Sequence, residues 1–357
     1  MNFRQLTVLS LIMGFTAPAM AQLPRIVVQG SGTPEVFTEL ADAVAAAQAG
    51  DKLYLSGNNF PHPANLEIDK ELHFIGAGVH PDSTQVTGTT TLTCASTAGP
   101  LRVLTTASGS TFTGIRFTTT SGENSGLAIR YGVVDADDDP TDIVFQRCWF
   151  QGQVQLGTST DAGGTTTFDE CVFLGLLDGK GRSAVLTRCI IADAYNQITL
   201  TGLAGASTVE NCVVLGTTQT NSGVTIRNSF LRTNGGYASY ACTNCVFQNN
   251  ITPNELITAS SPGAVITGNL TEVDLGTFFV AEDNGLYEVT DDLHMVAGSP
   301  GIGFGTDGTD VGIYGTASPY KPGAVPFNPH FRQATIAPST NNNGGLPVNI
   351  RVAAQQH

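Results

Sequence analysis

The chain holds 357 residues, 41% of them apolar, enough for one large core or two modest ones. Its 41 glycines and a still larger number of threonines disfavour a helical bundle, because both cost helix stability while threonine suits strands. A formal net charge of −14, with 16 Lys and Arg against 30 Asp and Glu, leaves no basic stripe for nucleic acid.

The first residues read as an export signal. Arg4 gives a positive start, Leu6 to Phe15 an apolar stretch, and Ala19-Met20-Ala21 a small-x-small cleavage site before Gln22. With residues 1–21 removed, the expected destination is the periplasm, the cell surface or the medium. The apolar run is too short to span a bilayer, and no later run is long enough, so membrane insertion is not expected. Next, Phe37, Leu40, Ala41 and Val44 follow helical spacing between Pro34 and Gly50, which predicts a capping helix near 35–49. Short strands are expected from Lys52 to Ser56, from Asn65 to Ile68 and from Leu72 to Ile75.

A triplet then recurs: an apolar residue, a small one three positions on, and a second apolar residue two positions later. The copies are Phe112/Ile115/Phe117, Phe145/Cys148/Phe150, Phe168/Cys171/Phe173, Leu186/Cys189/Ile191, Val209/Cys212/Val214, Ile226/Ser229/Leu231 and Cys242/Cys245/Phe247. Offsets of two share a strand face, whereas an offset of three demands a bend. One short strand, a corner and another short strand make a solenoid coil of roughly twenty residues, which must stack on its neighbours. On this reading Cys148, Cys171, Cys189, Cys212 and Cys245 hold equivalent sites on successive coils as buried thiols. Cys242 and Cys245 also have zinc-ligand spacing, but no second pair lies nearby.

The stretches VFTELADAVAAAQAGDKLYLSG and LEIDKELHFIGAG, with the coil segments FQRCWFQG, FDECVFLG and TNCVFQN, resemble secreted right-handed parallel β-helix proteins of the pectate-lyase-like superfold. DDLHMVAGSPGIGFGTDGTDVGIYG is similar to a late segment of many bacterial examples. The resemblance implies an all-β chain: a right-handed parallel β-helix, or single-stranded solenoid, with an N-terminal capping helix. It assigns residues 22–315 to the β-helix and leaves 316–357 as a Pro/Asn/Gly-rich tail or closing strand, with Val348, Ile350 and Val352 on one face. It implies no single activity, because the fold hosts lyases, hydrolases, esterases and adhesins.

The family's catalytic signatures are missing. There is no G-H-G, no R-I-K, no G-x-x-D-F-I-F-G and no L-G-R-P-W. Two places carry candidate chemistry. The connection from Phe117 to Phe145 is a dozen residues longer than a coil needs and reads as a projecting loop, with Arg130, Tyr131 and an acidic run. Within that run Asp135, Asp137 and Asp139 are candidate calcium ligands, since calcium takes oxygen donors of this type. The turn Asp178-Gly-Lys180-Gly-Arg182 offers a cationic base. A lysine or arginine beside a bound uronate can abstract the proton alpha to its carboxyl, so Arg130, Lys180 and Arg182 are candidate catalytic residues. His294 alone supports no triad.

The expectation is therefore an exported, non-catalytic β-helix with a glycan-binding, adhesive or structural role and no required cofactor. Its partner would be a polysaccharide or a cell-surface or matrix component, with no nucleic acid. The alternative is a carbohydrate-active enzyme, foremost a calcium-assisted polysaccharide lyase acting on acidic polysaccharide.

Overall fold

The computed structural model describes residues 23–94, 99–120, 126–133, 139–158, 164–192, 198–232, 241–253, 261–282, 284–324 and 330–353. Most coils contribute one short strand to each of three parallel sheets, designated A, B and C, and the last coils continue sheet A alone. In one turn the chain passes through Thr111–Thr113 in sheet A, Arg116–Thr119 in B and Leu127–Tyr131 in C. It then returns as Ile143–Gln146 beside its starting strand. The register aligns Phe112, Phe145, Phe168, Leu186, Val209, Ile226, Phe247 and Ile266 in sheet A. Sheet B aligns Phe117, Phe150, Phe173, Ile191, Val214 and Leu231. This is a parallel β-helix.

The core follows from the repeat. Phe74, Phe112, Phe145 and Phe168 stack ring on ring at 4.8, 4.9 and 5.1 Å. A second file, Phe117, Phe150 and Phe173, stacks at 5.3 and 4.7 Å and meets the first edge to face. Each buried ring contributes about 1.5–3 kcal/mol, and the edge-to-face contacts favour a single packing.

The bend is a residue in the left-handed region between sheets A and B. Gly114, Arg147, Glu170, Arg188, Asn211, Asn228, Asn249 and Gly268 all have φ between 50° and 68°. Asparagine and glycine adopt this conformation most readily. The larger Arg147 and Glu170 are held there by an ion pair of 2.8 Å that is almost wholly buried. The next residue points inward. Cys148, Cys171, Cys189 and Cys212 direct their sulfurs at the carbonyls of Phe112, Phe145, Phe168 and Leu186, at 3.3–3.6 Å. Asn250 and Asn269 make the same contact with Ile226 and Phe247 through their amides, each at 2.8 Å. The file thus answers carbonyls that the corner would otherwise leave unpaired.

The final triplet was misphased. Phe247 pairs with Ile226 in sheet A, so Asn249 takes the corner, Asn250 the inward position after it, and Cys245 lies outside the file. Cys245 instead forms a disulfide with Cys242, while the five other cysteines are buried thiols. The Cys-Val-Phe sequence imitates the real copies and displaced the count.

At the N-terminal end Ile26–Gln29 pairs antiparallel with Asp51–Leu55, and helix Leu40–Ala46 buries Leu40, Ala43 and Val44 against the first coil. Lys70 Nζ reaches the carbonyls of Val44 and Ala47 at 3.3 Å, capping the helix with a cation where its dipole is negative. At the other end the last rungs are Val265–Thr267 and the bridge of Leu270 to Ile251.

Residues 271–282 and 284–324 then run back over the outer face of sheet B. That face carries Trp149, Val172, Ile190, Val213 and Phe230, and Phe278, Phe279, Leu293, Val311, Ile313 and Tyr320 cover it. Corner asparagines pin this strap. Asn249 donates to the Phe304 carbonyl at 2.8 Å, and the Asn228 side chain exchanges bonds with Thr306. The expected coil span of 22–315 therefore takes in the coils and most of the strap, whose end, with Tyr320 and Ala324, falls in the expected tail. Beyond it, His330–Ile336 and Val348–Ala353 pair antiparallel with each other and not with the last coil.

Candidate functional site

Among the described residues, the sequence candidates stay outside the cleft described below, and only Arg182 and Asp139 are brought into contact. The connection expected to project as a loop contains the sheet C strand Leu127–Tyr131. Tyr131 points into the core, with its hydroxyl 3.0 Å from Thr166 Oγ1, and burial pushes its phenol up. Arg182 is buried with its guanidinium on Asp139, Nε lying 2.6 Å from Oδ2, so neither faces solvent. Asp135 and Asp137 lie outside the described residues. Lys180 sits at a left-handed turn position, and its ammonium pairs with Asp178 at 3.0 Å. Arg130 donates to the Val133 carbonyl. It stands in an outward file on sheet C, where register places Glu67, Arg102, Arg130, Gln155 and Asp178 on successive rungs. Charges on this face are largely matched to neighbours: Arg102 lies 3.3 Å from Glu67.

A different region gathers functional groups. A cleft of roughly 300 Å³ opens where the strap, the turn at His80 and Asp82, and Arg332 of the C-terminal hairpin meet above Ile190. Its walls carry Tyr287, Tyr314 and Tyr320. Tyr314 stacks on His294 with ring centres 3.8 Å apart and meets Tyr320 edge-on at 6.2 Å. Tyr287 leans on Trp149 at 5.8 Å, so the outer face of sheet B orients it. Burial raises all three phenols, which keeps them protonated as donors. None of the three hydroxyls bonds to another described residue, although Tyr320 is only 3% exposed.

The carboxylates are unequal. Asp291 accepts from the Glu288 amide at 2.7 Å, yet burial, with help from the nearby Glu288 and Glu282 charges, pushes it up to about 6. Asp292 is partly desolvated, but the amide and ring of His294 hold it below the ordinary range, with Nδ1 2.6 Å from Oδ1. Burial lowers His80, which therefore stays neutral near pH 7. Flat aromatic faces beside hydroxyl, carboxylate and imidazole groups suit a polyhydroxylated ring, which has apolar C–H faces and polar edges.

Of these groups only His294 stands out in the sequence, where it is solitary. The facing wall, His80 and Asp82, lies more than 200 positions earlier in the chain than the strap residues. One signal is available: the residue between the two inward positions is apolar in Cys148-Trp149-Phe150, Cys171-Val172-Phe173, Cys189-Ile190-Ile191 and Cys212-Val213-Val214. A strand apolar on both faces is covered on both.

No protein-family model and no curated protein matches the chain. Solved structures similar to it include the following three. A pectin methylesterase from carrot is 16% identical over 67% of this chain and 80% of its own, with a TM-score of 0.40. The deglycosylated pectin methylesterase from Aspergillus niger is 12% identical over 74% and 90%, at 0.39. The catalytic domain of a GH87 alpha-1,3-glucanase is 10% identical over 65% and 67%, at 0.25. The strand register itself, not these matches, defines the fold.

Proposed function

We propose that the chain is an exported, non-catalytic glycan-binding protein that holds a sugar chain in the cleft between the strap and sheet B. The observation that carries this reading is the set of three tyrosines around one cleft, with protonated hydroxyls that bond to no other described residue. Rigid coils orient the aromatic walls from below, so the site is formed before the ligand arrives. The alternative, a calcium-assisted polysaccharide lyase, needs a free cationic base beside its substrate. Arg182 and Lys180 are instead held on Asp139 and Asp178, which works against it.

The test is titration calorimetry against soluble oligosaccharides, with Tyr314→Ala and Tyr287→Ala as controls. Each substitution is expected to weaken binding about tenfold, the worth of one aromatic stacking contact. Undiminished binding by both variants would move the site elsewhere. Steady release of unsaturated uronates in the presence of calcium would replace binding with catalysis.

A further inference from the structure

We propose that the cleft takes an amino-sugar chain, with an unsubstituted amino group held as an ammonium between the tyrosine rings and the carboxylates of Asp82 and Asp291. This rests on the glycan-binding reading and narrows it to one ligand chemistry. Three carboxylates, Asp82, Asp291 and Asp292, line the cleft against a single guanidinium, Arg332. Asp292 is already engaged by His294. Asp82 forms no ion pair with a described residue, and Asp291 meets the Glu288 amide on Oδ2 and the like-charged Glu288 side chain, with no cation on either. A cation between them would relieve the crowding of Asp291 by Glu288 and Glu282.

The aromatic walls point the same way. An ammonium lying over the face of a tyrosine is attracted by its ring quadrupole, most strongly where water is excluded. The half-buried and buried rings of Tyr314 and Tyr320 meet at an angle, offering a face and an edge to one group. The hydroxyl of Tyr320, on a ring that is buried overall, has no partner among the described residues and is a donor for the sugar itself. A uronate would bring a like charge to Asp82 and Asp291. An acetylated amino sugar would fit the rings but leave both carboxylates uncompensated. At longer range the net charge of −14 draws a cationic polymer towards the surface.

Calorimetry on the full chain near pH 6.5 tests this with four probes: a glucosamine hexamer, its N-acetylated counterpart, a galacturonate hexamer and hexalysine. The glucosamine hexamer is expected to bind about tenfold more tightly than the acetylated one. Asp291→Asn and Asp82→Asn should each reduce that ratio, and added salt should reduce it in the unsubstituted protein, which covers the case of a variant that fails to fold. If the acetylated hexamer binds as tightly or more tightly, the ammonium site is wrong while glycan binding stands. If the galacturonate hexamer binds best, the charge assignment is reversed. If hexalysine matches the glucosamine hexamer, the attraction is to charge alone and the sugar specificity falls. If no sugar binds, both readings fall.

Discussion

Sheets A and B belong to the same coils, yet their outer faces were built for different neighbours. Sheet A presents Thr111, Val144, Thr167, Val185 and Thr208 on one outward file and Gln146, Asp169, Thr187, Glu210 and Arg227 on the next. Those residues are partly open to water, and ion pairs such as Arg227 with Glu210 link neighbouring rungs. Sheet B presents Trp149, Val172, Ile190, Val213 and Phe230, all buried under the strap. The inner faces are nearly interchangeable. What distinguishes the molecule lies outside the repeat, where one sheet demands a cover and the cover leaves a cleft.

The strongest way to break this contrast is one substitution made on both faces. Val213→Asp would bury a carboxylate between sheet and strap, and should cost more than about 4 kcal/mol or free the strap. Val185→Asp, on the open face of sheet A, should cost under about 1 kcal/mol. Denaturant unfolding and limited proteolysis within 271–324 would separate the two, and equal losses would refute the division of faces.

Ion pairs give the next comparison. Arg147→Ala strands the buried Glu170 carboxylate, with Arg188 at 3.8 Å as partial compensation. A loss of about 3–5 kcal/mol is expected. Arg227→Ala, across from the more exposed Glu210, should cost under about 1 kcal/mol. Thermal melts of the two variants are the check. Lys180→Ala should be similarly mild and leave glycan binding unchanged, since its ammonium serves only a half-exposed pair.

The smallest effect concerns pH. Burial raises folded Asp291 from 3.8 to about 6, so its charged form is disfavoured in the native state. Between those values the native protein holds a proton that the unfolded chain releases. Stability should therefore fall as pH rises through this window, with the penalty fully present above about 6. Ammonium binding should run the opposite way and strengthen as Asp291 ionises. The groups facing it are Glu282, Glu288, Asp292 and His294 on its own segment, and His80, Asp82 and Arg332 from other elements. Their titration overlaps, so Asp291→Asn should flatten the two profiles only in part. Profiles that Asp291→Asn leaves unaltered would remove Asp291 from the cleft's electrostatics.

The coil was legible because a corner imposes an odd offset that neither a plain strand nor a helix produces. Four cysteines fell on it correctly, while Cys245 did not, because a disulfide pair happened to share the local spelling. The cleft was not legible from any window of sequence. Asp291 and Asp292 sit beside His80 and Asp82 only because the strap doubles back along the coils. Arg182 stood out for its charge, but its partner Asp139 is 43 positions away, and adjacency of coils, not of residues, brought them together. The covered face of sheet B was visible in the triplets, in the apolar residue that follows each inward cysteine.

Hydrogen exchange of the full chain with and without a glucosamine hexamer tests the central claim most directly. The account predicts slowed exchange at residues 287–294 and 313–320, with the sheet C strands around Arg130 and Asp178 unchanged. Protection confined to the sheet C face, with the strap unaffected, would contradict it.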